Sequence, residues 1–278
     1  MNDNILHVEW TFGTDKEIYD IDLSQDYTEI KTPGRRLPFG SSVCVALQIW
    51  STFVHTIYKV KYCAPDISRN INEYNKDICR EFKSALASVS SWVPKQNGIS
   101  LLLQCGTRHV TIIDGKLDDL SVESKDADMS SGVVILPQNA DILGFINVNP
   151  YKYLDDLDIV LREYGSLLCH AITISRMRND KQMVCVGKGL FHELIMSDTR
   201  RIVIDTGYNL IPLDQSALYL RTLIPLMLIL QEKLITNSII VFNMDITVFG
   251  DNWYWLHDVL AAYAEDNKCK LIIVGNPV

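Results

Sequence analysis

The sequence predicts an α/β fold, a C-terminal βαβαβ parallel sheet preceded by an α+β, hairpin-containing N-terminal part. Three observations carry this. Residues 201–205, 238–242 and 270–274 are short apolar runs with no polar residue inside them, the pattern of strands buried on both faces. Between them, 215–235 and 252–266 have helical character and are long enough to cross over and bring the next strand back in the same direction. Upstream, polar and apolar residues alternate around glycine turns, as in antiparallel hairpins. The expected organisation is an N-terminal part of residues 1–131 and a C-terminal part of residues 132–278.

Composition bounds the function classes. The chain has 278 residues, with 47% hydrophobic and 22% charged, which is ordinary for a globular protein. A net charge of −8 argues against sequence-general nucleic-acid binding, which uses a basic face. Seven cysteines, an odd number without a CxxC pair, together with an N-terminus that lacks a basic-then-apolar pattern, point to a reducing, cytoplasmic setting. The most apolar stretch, 223–230, is shorter than the roughly 20 residues a membrane span needs, so it is expected in a core.

In chain order, residues 6–12 and 17–23 form a hairpin around Gly13. Residues 33–40 break regular structure and set Arg35 and Arg36 beside glycines, a solvated connector or an anion-binding loop. Ser41 or Ser42 caps a helix over 43–61, and a second helix covers 70–92. Residues 99–105 and 109–113 make another hairpin. The acidic, serine-rich stretch 114–131, six acids against two lysines, reads as an exposed loop or linker. Strands are expected at 132–136 and 142–148, a helix at 153–170, a hairpin of 171–177 with 182–186, and a short helix at 190–196. Pro225 should kink the long helix.

Ligands of parallel sheets sit beyond the carboxyl ends of the strands, against helix N-termini. Those ends would be Gly187-Lys188-Gly189, Asp205-Thr206-Gly207, Asn243-Met244-Asp245 and Gly275-Asn276. In this reading the glycines let backbone approach a phosphate and Lys188 neutralises it. Asp205 and Asp245 hold a cation, with magnesium as the candidate, or a ribose hydroxyl, while Asn243 orients the ligand. Leu190 follows Gly189, so Lys188 is not in a P-loop, and Met196 stands where a zinc-protease helix beginning at His192-Glu193 would need its second histidine. Trp253-Tyr254-Trp255 cannot all face one core, which makes Trp253 and Trp255 candidates for partner contact.

Two functions follow. One is binding of a phosphate-bearing small molecule or nucleotide at the strand ends, as in a hydrolase or transferase. The other is a non-catalytic interaction or assembly subunit of a larger complex, with the α/β core as scaffold. No motif fixes a reaction, and no membrane association is expected.

Overall fold

The computed structural model of the chain describes residues 4–32, 34–37, 40–63, 70–89, 98–122, 132–137, 159–178, 181–196 and 202–275. Two compact units are formed, Met1–Val133 with Ile272–Asn276, and Val134–Leu271. The fold is mixed α/β, with an antiparallel, hairpin-rich N-terminal sheet and a parallel C-terminal sheet.

In the first unit, β1 (Ile5–Phe12) and β2 (Asp15–Asp22) form the expected hairpin, and β3 (Tyr27–Ile30) follows. Short strands β4 (Arg36–Leu37) and β5 (Gly40–Ser41) then lead into α1 (Ser42–Cys63), and α2 (Ile71–Val89) comes next. Strands β6 (Ile99–Cys105), β7 (Arg108–Ile113) and β8 (Lys116–Val122) complete an antiparallel sheet of order β2-β1-β6-β7-β8. Strict alternation on β1 and β6 buries Leu6, Val8, Trp10, Leu101 and Leu103 on one face. The Trp50, Phe53 and Phe82 rings of α1 and α2 stack edge to face within this unit's core. Both helix starts are capped, by Ser41 Oγ accepting from the Cys44 N–H (3.3 Å) and by Asn70 Oδ1 accepting from the Glu73 N–H (3.0 Å).

One helical stretch of this unit, Ser42–Lys61, is long and apolar enough to cross a bilayer, which the sequence reading did not notice. Because 78% of its most apolar window is buried inside the protein, it behaves as a core helix. The 114–131 stretch is not all loop. Residues 116–122 pair with β7 as an edge strand, and their acids decorate the exposed face, a common way of guarding an edge. Residues 123–131 lie outside the described residues, as does the strand expected at 142–148.

The Arg35 loop is occupied by its own chain. The Arg35 guanidinium sits 4.5 Å over the Phe12 ring and 3.0 Å from Asp15, and its backbone N–H donates to the Glu17 carboxylate. Those contacts make Arg35 a clamp on the β1–β2 hairpin.

The C-terminal elements are β9 (Gly132–Leu136), α3 (Ile159–Arg178), β10 (Lys181–Gly187), β11 (Leu190–Met196), β12 (Ile202–Asp205) and β13 (Leu210–Pro212). After them come α4 (Leu218–Gln231), β14 (Ser238–Phe242), α5 (Trp253–Asp266) and β15 (Lys270–Val274). The parallel sheet has the order β3-β15-β14-β9, with α5 crossing between β14 and β15. Its first expected strand is elsewhere. Residues 202–205 belong to a separate antiparallel sheet, β10-β11-β12-β13.

Two local expectations are overturned with it. Residues 171–177 continue α3 instead of forming a hairpin arm: Tyr164, Leu168, Ala171, Ile172 and Ser175 are buried at helical spacing, and Thr173 donates its hydroxyl to the Cys169 carbonyl (2.8 Å) one turn back. Residues 190–196 are strand β11, paired with β10 on one side and β12 on the other, not a helix. Pro225 does lie inside α4, whose residues from Thr222 to Leu230 are all buried.

Candidate functional site

The predicted site residues fall on turns of the second unit. Gly187, Lys188 and Gly189 make the tip of the β10–β11 hairpin, where Gly187 pairs with Leu190 and Gly189 adopts φ +72°. Lys188 is exposed. Since a strand follows it, the helix expected at 190–196 does not back this turn, and the nearest helix start is that of α5, whose N-cap residue Asn252 adjoins Gly187.

Asp205 ends β12 and opens the tight turn to β13. Its Oδ1 accepts the Gly207 N–H at 2.7 Å, with Gly207 at φ +80°, and Thr206 and Asn209 close the turn by a reciprocal pair of hydrogen bonds of 3.0 and 3.1 Å involving the Thr206 hydroxyl. Asp245 follows β14 and is similarly engaged: its Oδ1 accepts from the Thr247 N–H (3.0 Å) and hydroxyl (2.6 Å), capping the 3₁₀ turn Ile246–Val248. The half-buried Asn243 donates its backbone N–H to the Leu136 carbonyl (3.2 Å). Asp205 and Asp245 therefore stand on different sheets, and each carboxylate shapes its own turn. Among the described residues no group of three or more His, Cys, Asp or Glu could hold a metal ion.

Some of these pieces do meet. The Gly187 position is so close to Asn252 that a Cβ there would come within 3.2 Å of the Asn252 Oδ1. Beneath the hairpin, the Tyr219 hydroxyl at the start of α4 donates to the Val186 carbonyl, and the Tyr219 ring lies edge-on to Phe249, itself 6.2 Å from Phe242 at the end of β14. Burial pushes the Tyr219 phenol above its ordinary pKa, with the nearby Cys185 adding to the effect. The join is thus an apolar, aromatic one that braces the hairpin.

Trp253 is a core residue, 8% exposed, with its ring 5.1 Å from Phe242 and 5.9 Å from His257. Trp255 is half-buried, and the member of the triplet that meets solvent is Tyr254, 70% exposed.

A surface that the sequence reading missed lies on the β10–β13 sheet. Directly opposite residues of antiparallel strands share a face, so the registers sort the side chains into two sets. Val184, Leu194, Ile202 and Ile204 form the inner, buried set. The outer set contains Cys185 opposite Phe191, the row Met183, Glu193, Asp205 and Leu210, and the row Lys181, Ile195, Val203 and Pro212. Antiparallel sheets with one wet face normally alternate apolar inward and polar outward. Here the outer set also carries large apolar residues, and they remain open: Met183 is 53% exposed, Phe191 55% and Leu210 61%, with Tyr208 at 95% in the adjoining turn.

The signal was in the sequence, because Met183, Cys185, Phe191, Ile195, Val203 and Leu210 are apolar at alternate positions on both sides of each strand. It could be read only once β11 was known to be a strand. No protein-family model matches the chain, and no curated protein or solved structure shows significant similarity to it.

Proposed function

We propose that this chain is a non-catalytic interaction subunit, an α/β scaffold that presents the outer face of β10–β13 to another protein chain. The observation that supports it is that face itself, a set of apolar side chains left in solvent on a sheet whose other face carries the buried Val184, Leu194, Ile202 and Ile204. Exposed apolar patches of this kind mark interaction surfaces, because covering them recovers the hydrophobic free energy that folding leaves unused. The ligand-binding reading has less behind it, since the Asp205 and Asp245 carboxylates already hold turns and Lys188 stands on a hairpin tip.

The test uses a photo-crosslinking residue placed at Leu210, with Ile113 of the other antiparallel sheet as control, in cells that make the protein. A discrete adduct from position 210 alone is expected. Once identified, the purified partner should bind the parent chain, and Phe191→Ser with Leu210→Ser should abolish that binding. The proposal fails if nucleotides with magnesium raise the melting temperature and Lys188→Ala removes the rise, because binding to the folded state alone is what such a shift reports.

A further inference from the structure

The exposed apolar side chains of the β10–β13 sheet are concentrated at one end of it, and a hydrogen-bonded turn stands there. Strand β12 runs back toward the β10–β11 hairpin, so the Gly187–Gly189 tip and the Thr206–Asn209 turn lie at the same end. Leu190, Phe191, Tyr208 and Leu210 are exposed at that end, whereas Ile195, Val203 and Pro212, in the row farthest from it, are half-buried. We infer that Tyr208, held out by the turn from Asp205 to Asn209, anchors this face to a different protein whose apolar pocket takes the phenol ring; the inference rests on the interaction reading above.

Two features of Tyr208 carry this. At 95% it is the most exposed large apolar side chain among the described residues, so folding leaves nearly all of its surface unused, and only a concave partner surface covers a ring that projects this far. The backbone beneath it is already fixed. Asp205 Oδ1 accepts the Gly207 N–H at 2.7 Å, and the Thr206 hydroxyl and N–H join Asn209 through hydrogen bonds of 3.0 to 3.1 Å. A tyrosine has two side-chain torsions to order, and on a pre-formed turn its burial costs little conformational entropy. Its large apolar body with a hydroxyl at the end is what makes tyrosine common among the residues that dominate interfaces. A second copy meeting this one about a two-fold axis at the same end would set one projecting ring against another instead of a ring into a pocket.

The photo-crosslinking residue at Leu210 of the full chain, in cells that make the protein, is the probe. Tyr208→Ala should leave the melting temperature unchanged and lower the yield of the position-210 adduct about tenfold, while Tyr208→Phe keeps the ring and most of the yield. Thr206→Val, which removes the hydroxyl that closes the turn, should lower the yield about threefold. With the protein recovered from that adduct, the affinity lost in Thr206→Val should vanish in the Tyr208→Ala background, because a turn that acts by positioning the ring then has nothing to position. An adduct unchanged in Tyr208→Ala but lost in Phe191→Ser overturns the anchor and leaves the interaction face standing. A Thr206→Val loss that persists in full without the ring overturns the role given to the turn. A sedimenting dimer that Tyr208→Ala disperses assigns the anchor to a second copy and overturns the inference. No adduct from position 210 of the parent chain overturns both the inference and the reading beneath it.

Discussion

Glu193 and Asp205 are direct cross-strand neighbours on β11 and β12, so two acids share one side of an antiparallel pair. Like charges in that position destabilise a sheet by roughly 0.2–1 kcal/mol. Asp205→Asn keeps an acceptor for the Gly207 N–H while removing one charge. Thermal unfolding at low ionic strength should show this variant more stable than the parent by about that amount, with the gap narrowing as salt screens the pair. A less stable variant would mean that the carboxylate holds a favourable partner within the chain.

Neighbouring residues of β11 should respond oppositely to truncation. Leu194 is fully buried on the inner face, and Leu194→Ala should cost about 2–5 kcal/mol through lost burial and the cavity left behind. Phe191 is already half in solvent, and Phe191→Ser should change stability by no more than about 0.5 kcal/mol. Urea midpoints measure both. A large loss at Phe191 would show that the outer face is covered within the chain itself.

The aromatic triplet divides in the same way. Trp253→Ala should lower stability by about 3–5 kcal/mol, because its ring packs on Phe242 in the core. Tyr254→Ala should fold as the parent does, within about 0.5 kcal/mol. Calorimetry separates them, and equal effects would contradict the burial of Trp253.

Gly34 has φ +81°, a left-handed conformation, and a Cβ there would overlap the Ser42 hydroxyl and come within 2.9 Å of the Glu17 carboxylate. Two penalties therefore act on Gly34→Ala, backbone strain and crowding of the hydrogen bond from Ser42 Oγ to Glu17 (2.7 Å). A loss of about 1–3 kcal/mol is expected in urea unfolding. An unchanged midpoint would show that the loop moves aside at no cost.

How much of this was legible depended on whether a segment's own pattern decided its structure. Residues 239–242 and 271–274 are apolar throughout, and any buried strand satisfies them, so β14 and β15 were readable. The same property misled for 202–204, which is equally apolar: its sequence does not say which sheet it joins, and the register with β11 decides that. Residues 190–196 failed for a related reason. With Leu190, Phe191, Leu194 and Ile195 apolar, the segment fits helical spacing as well as a strand with two apolar faces, and only its two neighbours settle the matter. At 171–177 the β-branched Ile172, Thr173 and Ile174 suggested a strand, and helical packing overrode that propensity. The site reading used the same two assumptions, a helix at 190–196 behind Lys188 and a place for Asp205 in the parallel sheet.

The Tyr219 latch on β10 should leave a signature at alkaline pH. Its hydroxyl donates to the Val186 carbonyl, while burial first, and then the neighbouring Cys185, raise its pKa above 10.0. A raised folded-state pKa means that the neutral phenol is favoured in the native protein. The stabilisation is therefore whole below the unfolded-state value near 10 and is lost as pH rises through the folded-state one. Tyr219→Phe should be less stable than the parent at neutral pH by about 1 kcal/mol, the net worth of a hydrogen bond. Because phenylalanine does not titrate, the difference should close as the pH passes 10. Tyr164 and Tyr263, also raised by burial, lower both midpoints alike in this range and cancel from the comparison. Urea midpoints of the two proteins across that range measure the gap, and a gap that stays constant with pH would show that the Tyr219 hydroxyl does not titrate differently in the folded and unfolded chains.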